Sequence, residues 1–85
     1  MIKRLRYIPH GNCYAVYTSD GLELWSYTTR VISYNNSTGI LKCSGLYSMT
    51  TRKHISAFMK EYFPNYSYYS VKEAVEKNEG VLHID

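Results

Sequence analysis

The chain has 85 residues and a mass of 9.9 kDa, which is enough for one domain, residues 1–85, and leaves no room for two lobes with a cleft between them. This size excludes most cofactor enzymes, and we expect no cofactor. Ten Lys and Arg against seven Asp and Glu give a net charge of +3, which argues against acidic mimicry of DNA without establishing a nucleic-acid partner. The unusual feature of the composition is tyrosine, with ten residues.

The N-terminal segment Met1–Pro9 is basic, but no apolar run of the signal-peptide kind follows it. No stretch approaches the roughly 18 apolar residues that span a membrane. We therefore expect no membrane partner and a location in the cytosol of the cell that makes the protein, where Cys13 and Cys43 stay reduced. The simplest role for both cysteines is that of small buried apolar residues, and a redox pair or an intersubunit disulfide is the alternative. Two cysteines and three scattered histidines lack the spacing of a metal site.

The first half of the chain predicts a series of antiparallel β-hairpins. Asp20-Gly21 and Asn35–Gly39 are turn signals, the first because glycine readily supplies the positive φ of a tight hairpin. Alternation within residues 22–26 places Glu23 and Trp25 on the face opposite to Leu24. The predicted strands are residues 1–8, 13–18, 22–26, 28–34 and 40–43.

The second half changes to helical periodicity. Apolar residues that begin at Ile55 recur at i+3, i+4 and i+7, which predicts one face of an α-helix at about residues 51–62. Thr50 or Thr51 is the expected N-cap, because a hydroxyl accepts a hydrogen bond from the first turn. Pro64 is expected to end the helix.

A second, short helix is predicted at about residues 71–77. Ser70–Glu73 matches a capping box, residues 65–69 are expected to form a loop, and Gly80 supplies a left-handed residue after the helix. Residues 81–84 predict a final strand. The fold class is therefore α+β, with hairpins that form a sheet and one main helix that covers it.

The charge is uneven, and one short pattern occurs twice. Residues 1–53 carry a balance of +5 and residues 54–85 a balance of −2, so the basic part lies with the hairpins and the start of the main helix. Trp25–Arg30 and Tyr47–Arg52 both read aromatic-Ser-x-Thr-Thr-Arg. Coincidence and a duplicated local role both remain open as explanations.

Exposed tyrosines are the first candidate site. A tyrosine ring offers a large apolar contact and a hydroxyl for a directed hydrogen bond, as binding surfaces require, and exposed rings on strands also stack on unpaired bases. The alternative is that the rings fill the sheet and cover a thin core. Three rings within five residues of a loop cannot easily all point inward. The candidate partner-binding residues are Tyr66, Tyr68, Tyr69, Tyr47, Trp25, Tyr27, Arg30, Arg52 and Lys53.

The start of the main helix, Thr50–His54, is the second candidate. Free N–H groups, hydroxyls and Arg52 could bind a phosphate or a partner carboxylate, and ordinary capping with solvated cations is the alternative. His54 is expected to be a half-buried packing residue. Nothing fixes His10 and Cys13 in a catalytic geometry, and phosphate loops and paired carboxylates are absent, so we expect no enzyme.

The two stretches Ser26–Val31 and Gly45–Ile55 resemble a family of short proteins from phages and other mobile elements. That family has a Ser-Tyr-x-Thr-x-Val stretch and, after a hairpin, a Tyr-Ser-x-Thr-Thr-x-x-His-Ile stretch that opens a helix. The likeness covers roughly residues 22–63. It implies a compact phage-type protein, commonly a host-takeover or anti-defence factor, and an inhibitor of a CRISPR effector nuclease is one concrete form.

The leading hypothesis is a non-enzymatic protein that binds a larger host protein, such as a nuclease or nucleoprotein complex, and inhibits or modulates it. Tyrosines would supply the anchors and Arg30, Arg52 and Lys53 the charge pairing. A small nucleic-acid-binding regulator is the second hypothesis. A toxin-like ribonuclease that uses His54 with Arg30 and Arg52 is the third. Unprotected sheet edges would also allow a homodimer.

Overall fold

The computed structural model describes residues 1–85 and has the predicted α+β architecture. Six strands form one antiparallel sheet in chain order, and two helices lie between the fifth and sixth strands. Neither helix is both long enough and apolar enough to cross a membrane. The strands are β1 (Ile2–Arg4), β2 (Cys13–Tyr17), β3 (Gly21–Ser26), β4 (Thr29–Asn35), β5 (Ile40–Cys43) and β6 (Val81–His83), and the helices are α1 (Met49–Tyr62) and α2 (Tyr68–Lys77).

The two hairpin turns lie where the sequence predicted them, although Gly21 is required for a reason other than the expected one. In the β4–β5 turn, Asn35 Oδ1 accepts hydrogen bonds from the backbone N–H of Ser37 at 2.9 Å and of Thr38 at 3.2 Å. The expected positive φ of Gly21 is wrong, because the residues with positive φ do not include it. Gly21 is required by close packing instead, since a Cβ there would lie 1.9 Å from the carbonyl oxygen of Tyr34.

The first strand is shorter than predicted. β1 ends at Arg4, because Leu5 turns inward and is fully buried, and the chain then closes a tight turn in which the N–H of Ile8 donates to the carbonyl of Leu5. β1 and β6 form the two edges of the sheet. Pairing with a second copy along either edge stays a prediction.

The main helix begins two residues before the predicted start. Its N-cap is Ser48 and neither Thr50 nor Thr51, because Ser48 Oγ accepts the N–H of Thr51 at 3.2 Å. The helix ends at Tyr62, as predicted, and the N–H of Phe63 bonds back to the carbonyl of Met59 at 2.8 Å. Thr50 and Thr51 lie inside the first turn of the helix, where a residue cannot act as the N-cap. The cap is therefore Ser48, the hydroxyl residue directly before that turn.

The second helix also begins earlier, and the predicted capping box is wrong. The box is formed by Ser67 and Ser70: the N–H of Ser67 donates to Ser70 Oγ, and the N–H of Tyr69 donates to Ser67 Oγ. Tyr68 and Tyr69 therefore belong to α2 and do not lie in a loop. The expected left-handed Gly80 is confirmed, with φ of 80°.

The core lies between one face of the sheet and the two helices. Along β3, inward residues such as Leu24 alternate with Glu23 and Trp25, as predicted. A bulge opposite Leu24 and Trp25 leaves Val31 as an extra residue, so that Val31 and Ile32 are both buried. The fully buried side chains of largest volume are Phe58, Leu5, Leu24, Ile32, Leu41, Ile55, Met59, Val31, Val71 and Cys13.

Candidate binding surface

The second face of the sheet carries no helix, and we call it the open face. Pairing between β1, β2 and β3 brings Ile2 beside Val16 and Val16 beside Glu23, and it sets Tyr14 beside Trp25. Their side chains alternate with the buried residues and therefore point away from the core. Together they form a groove of about 320 Å³, which we call the apolar groove, lined by Ile2, Tyr14, Val16, Glu23, Trp25 and Tyr27.

The polar groups around the apolar groove are paired with one another. Trp25 Nε1 donates to Glu23 Oε1 at 3.0 Å, and Arg30 Nη1 donates to Glu23 Oε2 at 3.3 Å. The guanidinium of Arg4 lies 5.2 Å from the centre of the Tyr14 ring. Because the Arg30–Glu23 ion pair is largely exposed on the arginine side, it contributes at most about 1 kcal/mol to stability. Its effect is to fix the Trp25 ring and to neutralise the one carboxylate in the groove.

Tyr27 lies at one end of the apolar groove in a strained turn. It is the first residue of the two-residue turn that joins β3 to β4, since Ser26 pairs with Thr29. Its φ is 55°, in the left-handed region that favours glycine, yet its side chain is 57% exposed. The backbone N–H of Tyr27 donates to the carbonyl of Asn12 at 2.7 Å, which helps to hold the turn.

Tyr47 has the same unusual backbone and belongs to the connection between β5 and α1. Its φ is 49°, and its side chain is 59% exposed. The Tyr47 hydroxyl donates to Ser44 Oγ at 2.8 Å, and Ser44 Oγ donates to the carbonyl of Arg30 at 3.1 Å. The ring folds over Gly45, where a Cβ would lie 3.3 Å from Tyr47 Cζ. These contacts hold Tyr47 at the end of the molecule where β4 begins.

A buried polar pair attaches α1 to the same end. A 2.8 Å hydrogen bond joins Ser26 Oγ and His54 Nδ1, and the ring centres of Tyr27 and His54 are 6.0 Å apart. His54 was expected to be half-buried and is in fact buried, and burial lowers the pKa of its imidazole. Ser26 is only 3% exposed, so substrate cannot reach its hydroxyl, and the pair acts as a structural link.

This pair was not predicted, although the sequence contains part of the signal. Strand alternation puts Ser26 on the same face as Leu24, and the helical period puts His54 next to Ile55 of the apolar stripe. Two polar residues at buried positions need partners. The sequence gives no distance between them, and their association follows from the way α1 crosses β3.

We call the residues joined by these contacts, together with the exposed residues at the start of α1, the tyrosine end. The residues joined by the contacts are Ser26, Tyr27, Arg30, Ser44, Tyr47 and His54. The residues at the start of α1 are included because they lie within five positions of His54 along the helix, and they are Arg52, Lys53 and the 68% exposed Met49. Of the predicted partner-binding residues, the structure therefore brings six to the tyrosine end and the adjoining groove. They are Trp25, Tyr27, Arg30, Tyr47, Arg52 and Lys53.

The three remaining predicted residues lie elsewhere. Tyr69 is 72% exposed, while Tyr66 and Tyr68 are half-buried against the core. As expected, the three rings therefore do not all point inward, but only Tyr69 lies fully on the surface. Tyr68 is the first residue of α2 and lies on the side of the helix that packs against the core. The Tyr66 hydroxyl accepts a hydrogen bond from the N–H of Asp85 at 3.1 Å. These rings follow the C-terminal end of α1, about 20 Å from its start.

The cysteines have the expected structural role. Cys13 and Cys43 are both buried and unpaired. Burial raises the pKa of each thiol, which makes the reactive thiolate rarer, and it outweighs the opposing effect of Arg4 on Cys13.

Comparison with known proteins assigns the chain to a family. The chain belongs to DUF8033, a family of unknown function, whose model matches residues 9–78. The match includes β2 to β5 and both helices, and it leaves out the two edge strands. No curated protein and no solved structure matches the chain.

Proposed function

We propose that this DUF8033 protein is a non-enzymatic binding protein that inhibits or modulates a larger protein by covering one of its functional surfaces. The observation that carries the proposal is the apolar groove on the open face, next to exposed tyrosines and arginine. Aromatic residues and arginine account for much of the energy of protein interfaces. An interface of ordinary size buries about 800 Å² on each partner, roughly one seventh of this protein's 5361 Å² surface.

The chemistry of the groove favours a protein over a nucleic acid. Ile2 and Val16 are aliphatic and give no ring on which a base could stack, and the Trp25 ring is half-buried. A phosphate placed at the groove would also have to compete with Glu23 for Arg30, because these two residues already form an ion pair. An apolar side chain of a partner protein needs neither a ring to stack on nor a free cation.

A small nucleic-acid-binding regulator is the second candidate. Arg4 lies over the Tyr14 ring, and Arg30 is the strand-register partner of Trp25, which is an arrangement on a sheet face that single strands can use. A ribonuclease is disfavoured because His54 is buried and bonded to Ser26, which leaves this histidine out of reach of RNA.

The resemblance of residues 22–63 to short proteins of phages and mobile elements supports a narrower form of the proposal. In that form the protein acts in the host cytosol, and its partner is a defence nuclease such as a CRISPR effector. With a net charge of +3 it would not imitate DNA. It would instead occlude a site or hold the nuclease in one conformation.

The first experiment is capture from host cytosol on the immobilised protein, followed by mass spectrometry. The test variants are Trp25→Ala and Val16→Asp, and Tyr69→Ala is the matched control because it removes an exposed ring far from the groove. We expect both groove variants to lose the retained protein, while the control keeps it. Thermal unfolding of each variant checks that the fold is intact.

Two outcomes would contradict the proposal: no protein is retained, or the groove variants retain the protein as well as the original chain does. Binding of single- or double-stranded oligonucleotides at low salt, lost steeply at moderate salt, would favour the second candidate. The narrower form has its own test. Expression in cells with an active CRISPR effector should restore growth of a targeted phage, and Trp25→Ala should abolish this protection.

A further inference from the structure

Two residues of the tyrosine end have backbone conformations that lower the stability of the fold. Three non-glycine residues have positive φ: Tyr27, Tyr47 and Glu79. Glu79 lies in the turn that ends α2, where a left-handed residue is ordinary. Tyr27 and Tyr47 are bulky residues at exposed positions, where glycine or asparagine would relieve the strain. Such strain persists only where the surroundings impose it, and it is concentrated at functional sites.

The positive charges at the start of α1 also lower the stability of the fold. The N-terminus of a helix is its positive end and favours acidic side chains, yet the first turn of α1 has none, and Arg52 and Lys53 follow it directly. The one ion pair of the protein joins Arg30 and Glu23, so neither α1 cation has an acidic partner. Residues 26–30 and 44–54 together contain three cations and no acidic residue.

We propose that the tyrosine end recognises an acidic patch on the partner protein. This inference rests on the proposed function and names the chemistry of the partner surface. Arg52 and Lys53 would pair with carboxylates, which would offset the repulsion at the start of α1, and Arg30 would add a second, weaker contact beside its ion pair with Glu23. The exposed rings of Tyr27 and Tyr47 would pack beside those pairs.

Met49 favours a protein surface over phosphate at this end. Its 68% exposed thioether lies in the first turn of α1, where a flexible apolar side chain adapts to a partner's apolar side chains. Tyrosine, arginine and methionine are together typical of protein interfaces. The contacts of Ser26 with His54 and of Tyr47 with Ser44 hold this surface rigid, so little entropy is lost on binding.

The experiment measures affinity and stability on the same variants. The probe is the host protein retained in the capture experiment, purified and titrated by calorimetry. The test variants are Tyr27→Gly, Tyr47→Gly and the double charge reversal R52E/K53E. The controls are Glu79→Gly, which relaxes the third strained position, and Lys77→Glu, which reverses one exposed charge at the far end of α2.

We expect each test variant to bind the probe at least tenfold more weakly, while R52E/K53E melts at or above the temperature of the original chain. Both controls should bind as the original chain does. Affinity of the original chain should fall with added salt, and R52E/K53E should lose most of that dependence.

Several results would overturn the inference. Unchanged affinity in the test variants would do so while the proposed function stands, provided that Trp25→Ala still abolishes binding. A clear loss of melting temperature in R52E/K53E would show that the two cations are structural. Loss of retention after nuclease treatment of the cytosol would assign the cations to a nucleic acid. Failure to retain any protein would contradict the proposed function itself.

Discussion

The two faces of the sheet are built by different rules. On the face under α1 and α2, Leu24 and Phe58 are fully buried, and no buried side-chain nitrogen or oxygen lacks a hydrogen-bond partner. On the open face Ile2 is 68% exposed, Trp25 is half-buried, and Tyr27 ends the groove in a strained turn. Stability accounts for the first face and not for the second. This difference is the observation on which our proposal of a binding role for the open face and the tyrosine end rests.

The largest effect on stability is expected from a substitution in the core between the sheet and the helices. Phe58→Ala should lower the free energy of unfolding by about 3–5 kcal/mol, because it removes a fully buried ring and leaves a cavity. In so small a domain this approaches the whole stability, so much of the protein should unfold at 25 °C. Urea denaturation measures the change. Tyr69→Ala, at an exposed ring, should stay within about 0.5 kcal/mol, and equal losses in the two variants would contradict this account of the core.

The link between α1 and the end of β3 gives the next effect. Ser26→Ala should cost about 1–3 kcal/mol, because it leaves Nδ1 of buried His54 without its partner. Thr29→Ala removes a hydroxyl from an exposed position of the same hairpin and should be nearly neutral. If urea denaturation shows equal stability for both variants, the Ser26–His54 bond does not hold α1 to the turn.

A smaller effect on stability is expected at the strained β3–β4 turn. At position 27 the glycine variant should be more stable than the alanine variant by about 1 kcal/mol, because only glycine adopts positive φ without cost. At Tyr69, within α2, the order should reverse, since alanine is the better helix former. Thermal unfolding of Tyr27→Gly, Tyr27→Ala, Tyr69→Gly and Tyr69→Ala measures both orders of stability. Greater stability of Tyr27→Ala would show that the turn is not strained.

The smallest effect is a pH dependence. Burial lowers the pKa of His54 in the folded state, so at mildly acidic pH the unfolded chain binds more protons than the folded one. Stability should therefore fall as the pH drops below about 6.5, the ordinary histidine value. Chemical denaturation at pH 5 and 7.5 should show a flatter profile for His54→Gln, while His10→Gln, at an exposed position, should match the original chain. An unchanged profile in His54→Gln would contradict the assignment.

Local patterns predicted most of the fold. The alternation in residues 22–26, the helical period from Ile55 and the turn at Asn35–Gly39 each depend on neighbours in sequence, and each prediction was confirmed. Boundaries were less certain, because several hydroxyl residues compete as caps. Ser67 displaced Ser70 in this way, and Tyr68 moved from a predicted loop into a helix that buries half of its ring.

The candidate surface was only partly predictable. Strand alternation predicted that Trp25 lies away from the core residue Leu24, but the sequence does not show which face the helices leave uncovered. The left-handed backbone of Tyr27 and Tyr47 carries no sequence signal, because tyrosine is not a residue that turns prefer. The contact of Ser26 with His54 depends on how α1 packs on β3, which only the three-dimensional structure shows.

The most direct test of the account is cross-saturation NMR on the complex with the captured partner, which reports the side chains that touch it. The account predicts signal loss at Ile2, Val16 and Trp25 in the groove and at Tyr27 and Tyr47. Tyr69 on α2 should keep its signal. Loss confined to α2, with the groove and both strained tyrosines unaffected, would contradict the claim that the open face binds the partner.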